Sequence, residues 1–203
     1  MLISLYVHIP LRCIVVMSLS PIRCEILEIM LLLDKPEKPA SIARELGKDF
    51  PSVMMHIIWL TRMGYIASPA KGLYVITEKG KKALGVPEID KEKAQALLSQ
   101  MPPDKSFHFY AGIGKPLNIS ADSLQDFCDK ILKVNEESIN FHLSRGDFEA
   151  WFTGIGDVEL SKKVALLKTK EKVGEELRRR LHAIVENRCT VLANFAKHTV
   201  PST

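Results

Sequence analysis

The stretch YIASPAKGLYVITEKG, residues 65–80, decides the fold of the N-terminal part of the chain. Two short β-prone runs, around Tyr65 and Ile66 and again over residues 73–76, flank the turn-forming segment SPAKG. This order predicts a β-hairpin. Thr77 follows at the position where its side chain can cap a short helix, EKGKKALG, which carries three lysines.

The residues before the hairpin predict a first amphipathic helix. Ser20 is a suitable N-cap, and Pro21 suits the first helical position because its missing N–H has no partner there in any case. The helix ends at DKPEKP, a charged connector with two prolines. Its inward face is predicted from helical spacing to contain Ile22, Ile26, Ile29, Met30 and Leu33.

Two further helices follow, joined by a tight turn. ASIARELG predicts a short helix with Ile42, Ala43 and Leu46 inward, closed by Gly47. Asp49 can cap the next helix, FPSVMMHIIWLTRMG, which ends at Gly64. A glycine turn between two helices indicates a helix-turn-helix. The third helix is expected to turn Val53, Ile57 and Leu60 inward.

Four sequence patterns over residues 20–84 together resemble the winged-helix regulators of the multiple-antibiotic-resistance and arsenic-resistance repressor type. They are I-A-x-x-L-G, a capped V-x-x-x-I-x-x-L helix, G-Y-I, and Y-x-I-T-x-x-G-x-x-A-L. The resemblance implies that the third helix enters the major groove of DNA and that the hairpin, the wing, lies near the phosphate backbone.

The charge of the chain is concentrated in the same region. A composition of 46% hydrophobic and 26% charged residues is that of a globular protein and excludes a disordered, collagenous or membrane-embedded chain. The net charge is +4. Residues 48–85 hold six basic and two acidic residues, so this segment carries the whole surplus. An anionic partner is expected to meet it.

Double-stranded DNA is the partner that these observations favour, although a solvated basic face would show the same charges. The base-facing candidates are Ser52, Met55 and His56. The predicted phosphate contacts are made by lysines, namely Lys48, Lys71, Lys79, Lys81 and Lys82.

The third helix also supports an alternative. Its expected groove-facing positions include Met54, Ile58 and Trp59, and no lysine or arginine precedes Arg62. Such a surface reads few bases, and exposed apolar patches often mark protein contacts. The alternative is therefore a winged helix that serves as a protein-protein interaction module without specific DNA binding.

The C-terminal half is predicted to be a mostly helical α+β domain. DKEKAQALLSQM indicates a linker helix within residues 87–103, which ends before Pro102 and Pro103. SFHFYAG indicates a strand with Phe107 and Phe109 on one face and His108 and Tyr110 on the other. SADSLQDFCDKIL predicts a capped helix whose inward residues are Leu124, Phe127, Cys128 and Ile131.

Three more helical segments complete this half. Two are separated at Arg145 and Gly146, and Asp147 is expected to cap the second. The last is long, and its apolar stripe suits packing on a core or on a partner. Because the stripe is more apolar than one small domain needs, we expect a homodimer. The stripe comprises Val173, Leu177, Leu181, Ile184, Val191 and Phe195.

A second resemblance covers residues 107 to about 192. FHFYAGIGKP, SINFHLSRGDFEAWF and GEELRRRL resemble the motifs of an uncharacterised, largely archaeal domain family. The resemblance implies no particular chemistry. It extends the prediction of one small domain over most of the C-terminal half.

Four residues of this domain are candidates for a ligand pocket, because regulators often carry a sensing domain. They are His108, Tyr110, His142 and Trp151. A catalytic or metal site built from His108, His142, Arg145 and Asp147 is the alternative, but the spacing does not show that these groups meet. Gly112–Lys115 lacks the pattern of a phosphate loop, since Pro116 stands at the Ser/Thr position. No catalytic residue, metal or cofactor is predicted.

The cysteines and the first residues bear on the compartment. Cys13, Cys24, Cys128 and Cys189 form no C-x-x-C pair, which argues against a zinc or redox motif and favours reduced thiols in the cytoplasm. Residues 1–16 are apolar, but Pro10 and Arg12 interrupt them, they are too short to span a bilayer, and they lack a cleavage site. They are predicted either to form a pairing strand or to lie upstream of a working start at Met17.

The sequence therefore predicts a mainly α protein with small β elements, divided into an N-terminal segment (1–19), a winged helix-turn-helix domain (20–86), a linker helix (87–103) and a C-terminal domain for sensing or assembly (104–203). The predicted function is that of a cytoplasmic, DNA-binding transcriptional regulator with a small-molecule or protein effector. Neither an enzyme nor a membrane protein is expected.

Overall fold

The computed structural model describes residues 19–170 and 174–197. The chain divides after Val86 into two compact units, here called the first and the second unit. The described part is mainly α-helical, with two small antiparallel sheets of two strands each. The coarse fold class predicted from the sequence is thus confirmed. The segment 1–19, apart from Leu19, lies outside the described residues.

Within the described residues, the first unit contains four helices and one hairpin. Asp49 and Thr77 cap α3 and α4 as predicted, since their side chains accept the backbone N–H of Ser52 and Gly80 at 2.9 and 3.1 Å. The elements are α1 (Pro21–Leu33), α2 (Pro39–Leu46), α3 (Phe50–Arg62), β1 (Ile66–Ala70), β2 (Leu73–Ile76) and α4 (Glu78–Ala83).

The core of the first unit forms around α1, which contacts α2, α3, α4 and β2. Because α1 is covered on several sides, its buried face is wider than predicted. Leu27 and Leu31 are buried, whereas Ile22 and Leu33 are only half-buried. The inward residues of α3 were predicted correctly and are Val53, Ile57 and Leu60.

The connector between α1 and α2 adds a short β-bridge to the hairpin. Glu37 and Tyr74 exchange both backbone hydrogen bonds, at 2.8 and 2.9 Å. No sequence pattern indicates this pairing, because Glu37 stands between prolines. The hairpin itself turns at Lys71 and Gly72, so β1 is longer than predicted.

Gly80 of α4 fits where no larger residue does. A Cβ at this position would meet the carbonyl oxygen of Tyr65 and would lie 2.7 Å from Cγ1 of Ile76. The absence of a side chain lets α4 lie directly against the start of the hairpin.

The second unit surrounds its own hairpin with helices. Its last helix, α10, contacts α5, α6, α7 and α9. The segment predicted as a linker is α5, which packs against α10 with Ala94 and Leu97 buried. The elements are α5 (Lys91–Leu98), β3 (Phe107–Gly112), β4 (Lys115–Ala121), α6 (Leu124–Ile131), α7 (Glu136–Arg145), α8 (Asp147–Ile155), α9 (Val158–Lys168) and α10 (Gly174–Lys197).

Three features of the second unit differ from what the sequence predicted. β4 and α9 were not predicted, since Pro116 weakens the strand pattern and Lys162 and Lys163 interrupt the apolar pattern of the helix. The buried stripe of α10 is shifted, with Ile184 and Val191 half-buried and Phe195 exposed. Val173 lies outside the described residues. The residues that α10 does bury are Leu177, Leu181, Val185, Arg188, Cys189 and Leu192.

Lys163 explains why α9 escaped prediction, because it belongs to a buried ion cluster. Its Nζ lies 2.7 Å from Oε1 of Glu159, whose other oxygen accepts from Nη1 of Arg188 at 2.8 Å. Nε of Arg188 donates to Asp157 at 2.8 Å. Two cations and two carboxylates thus balance inside the unit, between α9 and α10.

Two thiols are also buried in the second unit. Burial raises the pKa of Cys128 to about 12 and that of Cys189 to about 11. Cys24, Cys128 and Cys189 form no disulfide. Within the described ranges, none of the helices combines the length and the apolar character needed to cross a bilayer.

Candidate functional site

The outer face of α3 is the first candidate surface. Positions 51, 55, 58 and 62 follow helical spacing on the side opposite the buried Val53, Ile57 and Leu60. Met55 is 68% exposed and Ile58 is 39% exposed. Arg62 is exposed at the end of this face. The face is therefore apolar along most of its length and basic at one end.

The three predicted base-facing residues differ in accessibility. Met55 points outward, whereas Ser52 and His56 are half-buried at the side of the helix. The backbone N–H of Ser52 is occupied by the Asp49 cap. Arg62 was not among the predicted site residues. It lies on the same face of α3 as Met55, because it follows Met55 by two helical turns.

Trp59 packs within the first unit. The guanidinium carbon of Arg23 lies 3.5 Å from the centre of its ring, and the ring of Tyr65 stacks at 6.3 Å. A cation held this close to an indole face stabilises the contact between α1 and α3. Trp59 is consequently part of the packing and is not on the outer face of α3.

The five lysines predicted to contact phosphate fall into two groups. Nζ of Lys79 donates to the Met63 carbonyl at 2.7 Å, and Lys81 lies 3.2 Å from Glu78 with its side chain 12% exposed. Lys48 lies 3.4 Å from Glu25. Lys71, at the hairpin turn, and Lys82, on α4, are exposed. Lys79, Lys81 and Lys48 are thus engaged within the first unit, whereas Lys71 and Lys82 are exposed to an external anion.

The second candidate site is a cavity of about 420 Å³ in the second unit. The outer face of β3, the β3–β4 turn and the end of α7 surround it. Of the predicted pocket residues, His108, Tyr110 and His142 are brought together here. Trp151 is not, because its Nε1 donates to the Lys105 carbonyl at 2.8 Å. The lining residues are Phe107, His108, Tyr110, Gly112, Ile113, Gly114, Phe141, His142, Arg145 and Asp147.

His142 has a partner on each ring nitrogen. Nε2 accepts the backbone N–H of Tyr110 at 2.8 Å, so Nδ1 carries the proton and donates to the Asp147 carboxylate, also at 2.8 Å. Burial lowers the pKa of His142, an effect that outweighs the opposite influence of Asp147. The imidazole is neutral at pH 7, and both nitrogens are already used to join β3, α7 and α8.

This arrangement shows that Asp147 is not the N-cap of α8, contrary to the prediction. α8 begins directly after Gly146, and Asp147 is its first residue. The Asp147 carboxylate is used instead by His142 and by Nε of Arg145, which lies 3.2 Å away. The carboxylate thus orients two side chains at the cavity wall.

Neither acid-base catalysis by His142 nor metal binding follows from this geometry. A catalytic histidine needs one nitrogen available to the substrate, and Nε2 of His142 is held by a backbone amide. Among the residues that the structure describes, no three His, Cys, Asp or Glu side chains are grouped so that they could hold a metal ion. Gly112–Lys115, the segment that superficially suggested a phosphate loop, forms the β3–β4 turn.

The comparison with protein families concerns the part of the chain that contains the cavity. Residues 86–186 match the model of a family described as "Family of unknown function (DUF5752)". The match begins at the boundary between the two units and ends within α10. No curated protein and no solved structure matches the chain.

Proposed function

We propose that the first unit is a winged-helix domain that binds double-stranded DNA and that the protein is a transcriptional regulator. The observation that supports this most directly is the exposed face of α3, from Met55 to Arg62, in a unit that also contains a hairpin with Lys71 at its turn. In a winged helix the third helix enters the major groove. The hairpin, as the wing, lies beside the backbone.

The architecture of the unit supports the proposal. Three helices precede an antiparallel hairpin, and the bridge between Glu37 and Tyr74 attaches the α1–α2 connector to β2. This bridge fixes the hairpin to the helical part of the unit, so that the hairpin and α3 can contact the same DNA duplex. An isolated two-stranded hairpin would be marginally stable in water.

On this surface, the charged residues and the apolar residues are expected to contact different parts of the DNA. The exposed Arg62, Lys71 and Lys82 supply affinity for phosphate without regard to sequence. Met55 and Ile58 offer apolar contacts, which suit the methyl group of thymine but form no hydrogen bond with a base edge. We therefore expect DNA binding of low sequence specificity.

The experiment is a titration of a fluorescent DNA duplex at several salt concentrations. In the triple variant R62A/K71A/K82A, each lost phosphate contact is expected to reduce the log-log slope of affinity against salt by about 0.9. Lys79 and Lys81 are left intact because both are engaged within the first unit, Lys79 with the Met63 carbonyl and Lys81 with Glu78. The matched control is K91A/K105A/K133A, which removes the same charge from exposed positions of the second unit.

A control variant that lost as much slope as the triple variant would contradict the proposal, because binding would then follow net charge alone. So would a wild-type protein with no measurable affinity at low salt.

A second candidate function rests on the same surface. Four exposed apolar side chains lie on α3 or just beyond its end, namely Phe50, Met55, Ile58 and Met63. Exposed apolar side chains of this kind suit a contact with another protein. If M55A/I58A abolishes association with a protein partner and leaves DNA affinity unchanged, α3 serves as a protein-docking surface.

A further inference from the structure

We propose that the cavity of the second unit binds a small aromatic carboxylate, with its ring beside Phe141 and Tyr110 and its carboxylate on Arg145. The proposal concerns the second unit alone and does not depend on DNA binding by the first. It assigns a ligand class to a site for which the sequence predicted only a pocket.

The size and lining of the cavity favour a flat apolar body. Its volume of about 420 Å³ falls within the range of small-molecule sites. Phe107, Tyr110, Ile113 and Phe141 provide aromatic or aliphatic wall. Ile113 is 86% exposed at the β3–β4 turn, an unusual position for a large apolar side chain. A bound ring would cover part of it.

Arg145 provides the polar contact. Its Nε donates to Asp147 at 3.2 Å, and its guanidinium carbon lies 5.1 Å from the centre of the Phe141 ring. These two contacts orient the planar group before any ligand arrives. The two Nη groups remain as a pair of donors whose spacing matches a carboxylate.

The charges of the wall distinguish a carboxylate from a phosphate ester. Among the described lining residues, Arg145 is the one lysine or arginine, and Asp147 already offsets its charge. Because His142 is neutral, it adds no positive charge. Because Arg145 and Asp147 neutralise each other, a bound monoanion leaves a single excess negative charge beside Asp147, whereas a nucleotide leaves two or more.

The test uses the full-length protein and 4-fluorobenzoate, whose binding is followed by ¹⁹F NMR. We expect saturable binding with a Kd of about 1 mM or lower. R145Q should raise this Kd at least tenfold. R145K should raise it less, because the charge is kept and the planar pair of donors is lost. R44Q is the matched control, since it removes an exposed arginine from the first unit.

The ligand series separates the carboxylate from its alternatives. 4-Fluorobenzamide, which has the same ring without the charge, should bind at least tenfold more weakly than 4-fluorobenzoate. F141L should weaken binding while Arg145 is intact, which keeps the proposal testable if R145Q fails to fold. Equal affinity for the amide, unchanged binding by R145Q, or displacement of the probe by AMP as readily as by benzoate would overturn the proposal.

Discussion

His142 shows how one buried side chain makes stability depend on pH. Its folded-state pKa is lowered mainly by burial, so the unfolded chain takes up the proton more readily than the folded one. Neutral His142 makes its full contribution to the free energy of unfolding above about pH 6.5, the pKa of a histidine in the unfolded chain. This contribution is lost as the pH falls from there towards the folded pKa, because protonated Nε2 cannot accept the Tyr110 N–H.

We therefore expect the free energy of unfolding to decrease between pH 7 and pH 5, by at most about 1.4 kcal/mol per pH unit for this proton. H142Q cannot titrate and should reduce the slope. H182Q, which removes a half-buried histidine from α10, is the control. Urea unfolding at each pH measures the slope, and an H142Q slope equal to that of the wild type would assign the effect to another group.

At the scale of single elements, two glycines provide matched substitutions with opposite expected results. G80A places a methyl group against the Tyr65 carbonyl and Ile76, and should destabilise the first unit by about 1 to 3 kcal/mol. Gly154 lies inside α8 with open space around it, so G154A should stabilise the second unit by about 0.5 to 1 kcal/mol.

Denaturation followed by tryptophan fluorescence reports on the first unit in a W151F background, which keeps Trp59, and on the second unit in a W59F background, which keeps Trp151. A destabilised G154A or an unaffected G80A would show that the packing around these glycines differs from the structure.

The elements also show why some features could be predicted and others could not. Caps at Asp49, Thr77 and Ser123 were predictable because they depend on a side chain and a backbone N–H three residues later. The cavity was predicted only in part. Alternation along β3 placed His108 and Tyr110 on one face, but Trp151 was misassigned because its bond to Lys105 joins residues far apart in sequence. Arg145 was considered for catalysis rather than for the pocket, because the break between α7 and α8 was predicted but the pairing of Arg145 with Asp147 at that break was not.

For the whole molecule, the homodimer stays a prediction. The apolar surface of α10 that supports it is smaller than the sequence suggested. Ile184 and Val191 are half-buried and Phe195 is 43% exposed, whereas the rest of the described stripe is used inside the second unit. Light scattering at micromolar concentration should give twice the chain mass of 22.8 kDa. V191S/F195S should shift the protein towards the monomer. If the wild-type protein has the mass of one chain, the predicted homodimer is wrong. The expectation that it reads two DNA half-sites about 34 Å apart is then wrong as well.

The ion cluster between α9 and α10 has a consequence for how this protein can change over time. Removing one partner of a buried ion pair costs about 3 to 5 kcal/mol, because the other charge is left without compensation. The stability of the cluster therefore depends on all four side chains, Asp157, Glu159, Lys163 and Arg188. A single replacement among them is expected to be removed by selection unless a second, compensating replacement follows. Replacing the group together by apolar residues of similar volume carries a much smaller penalty. These four positions are expected to vary across homologues as a unit, charged together or apolar together.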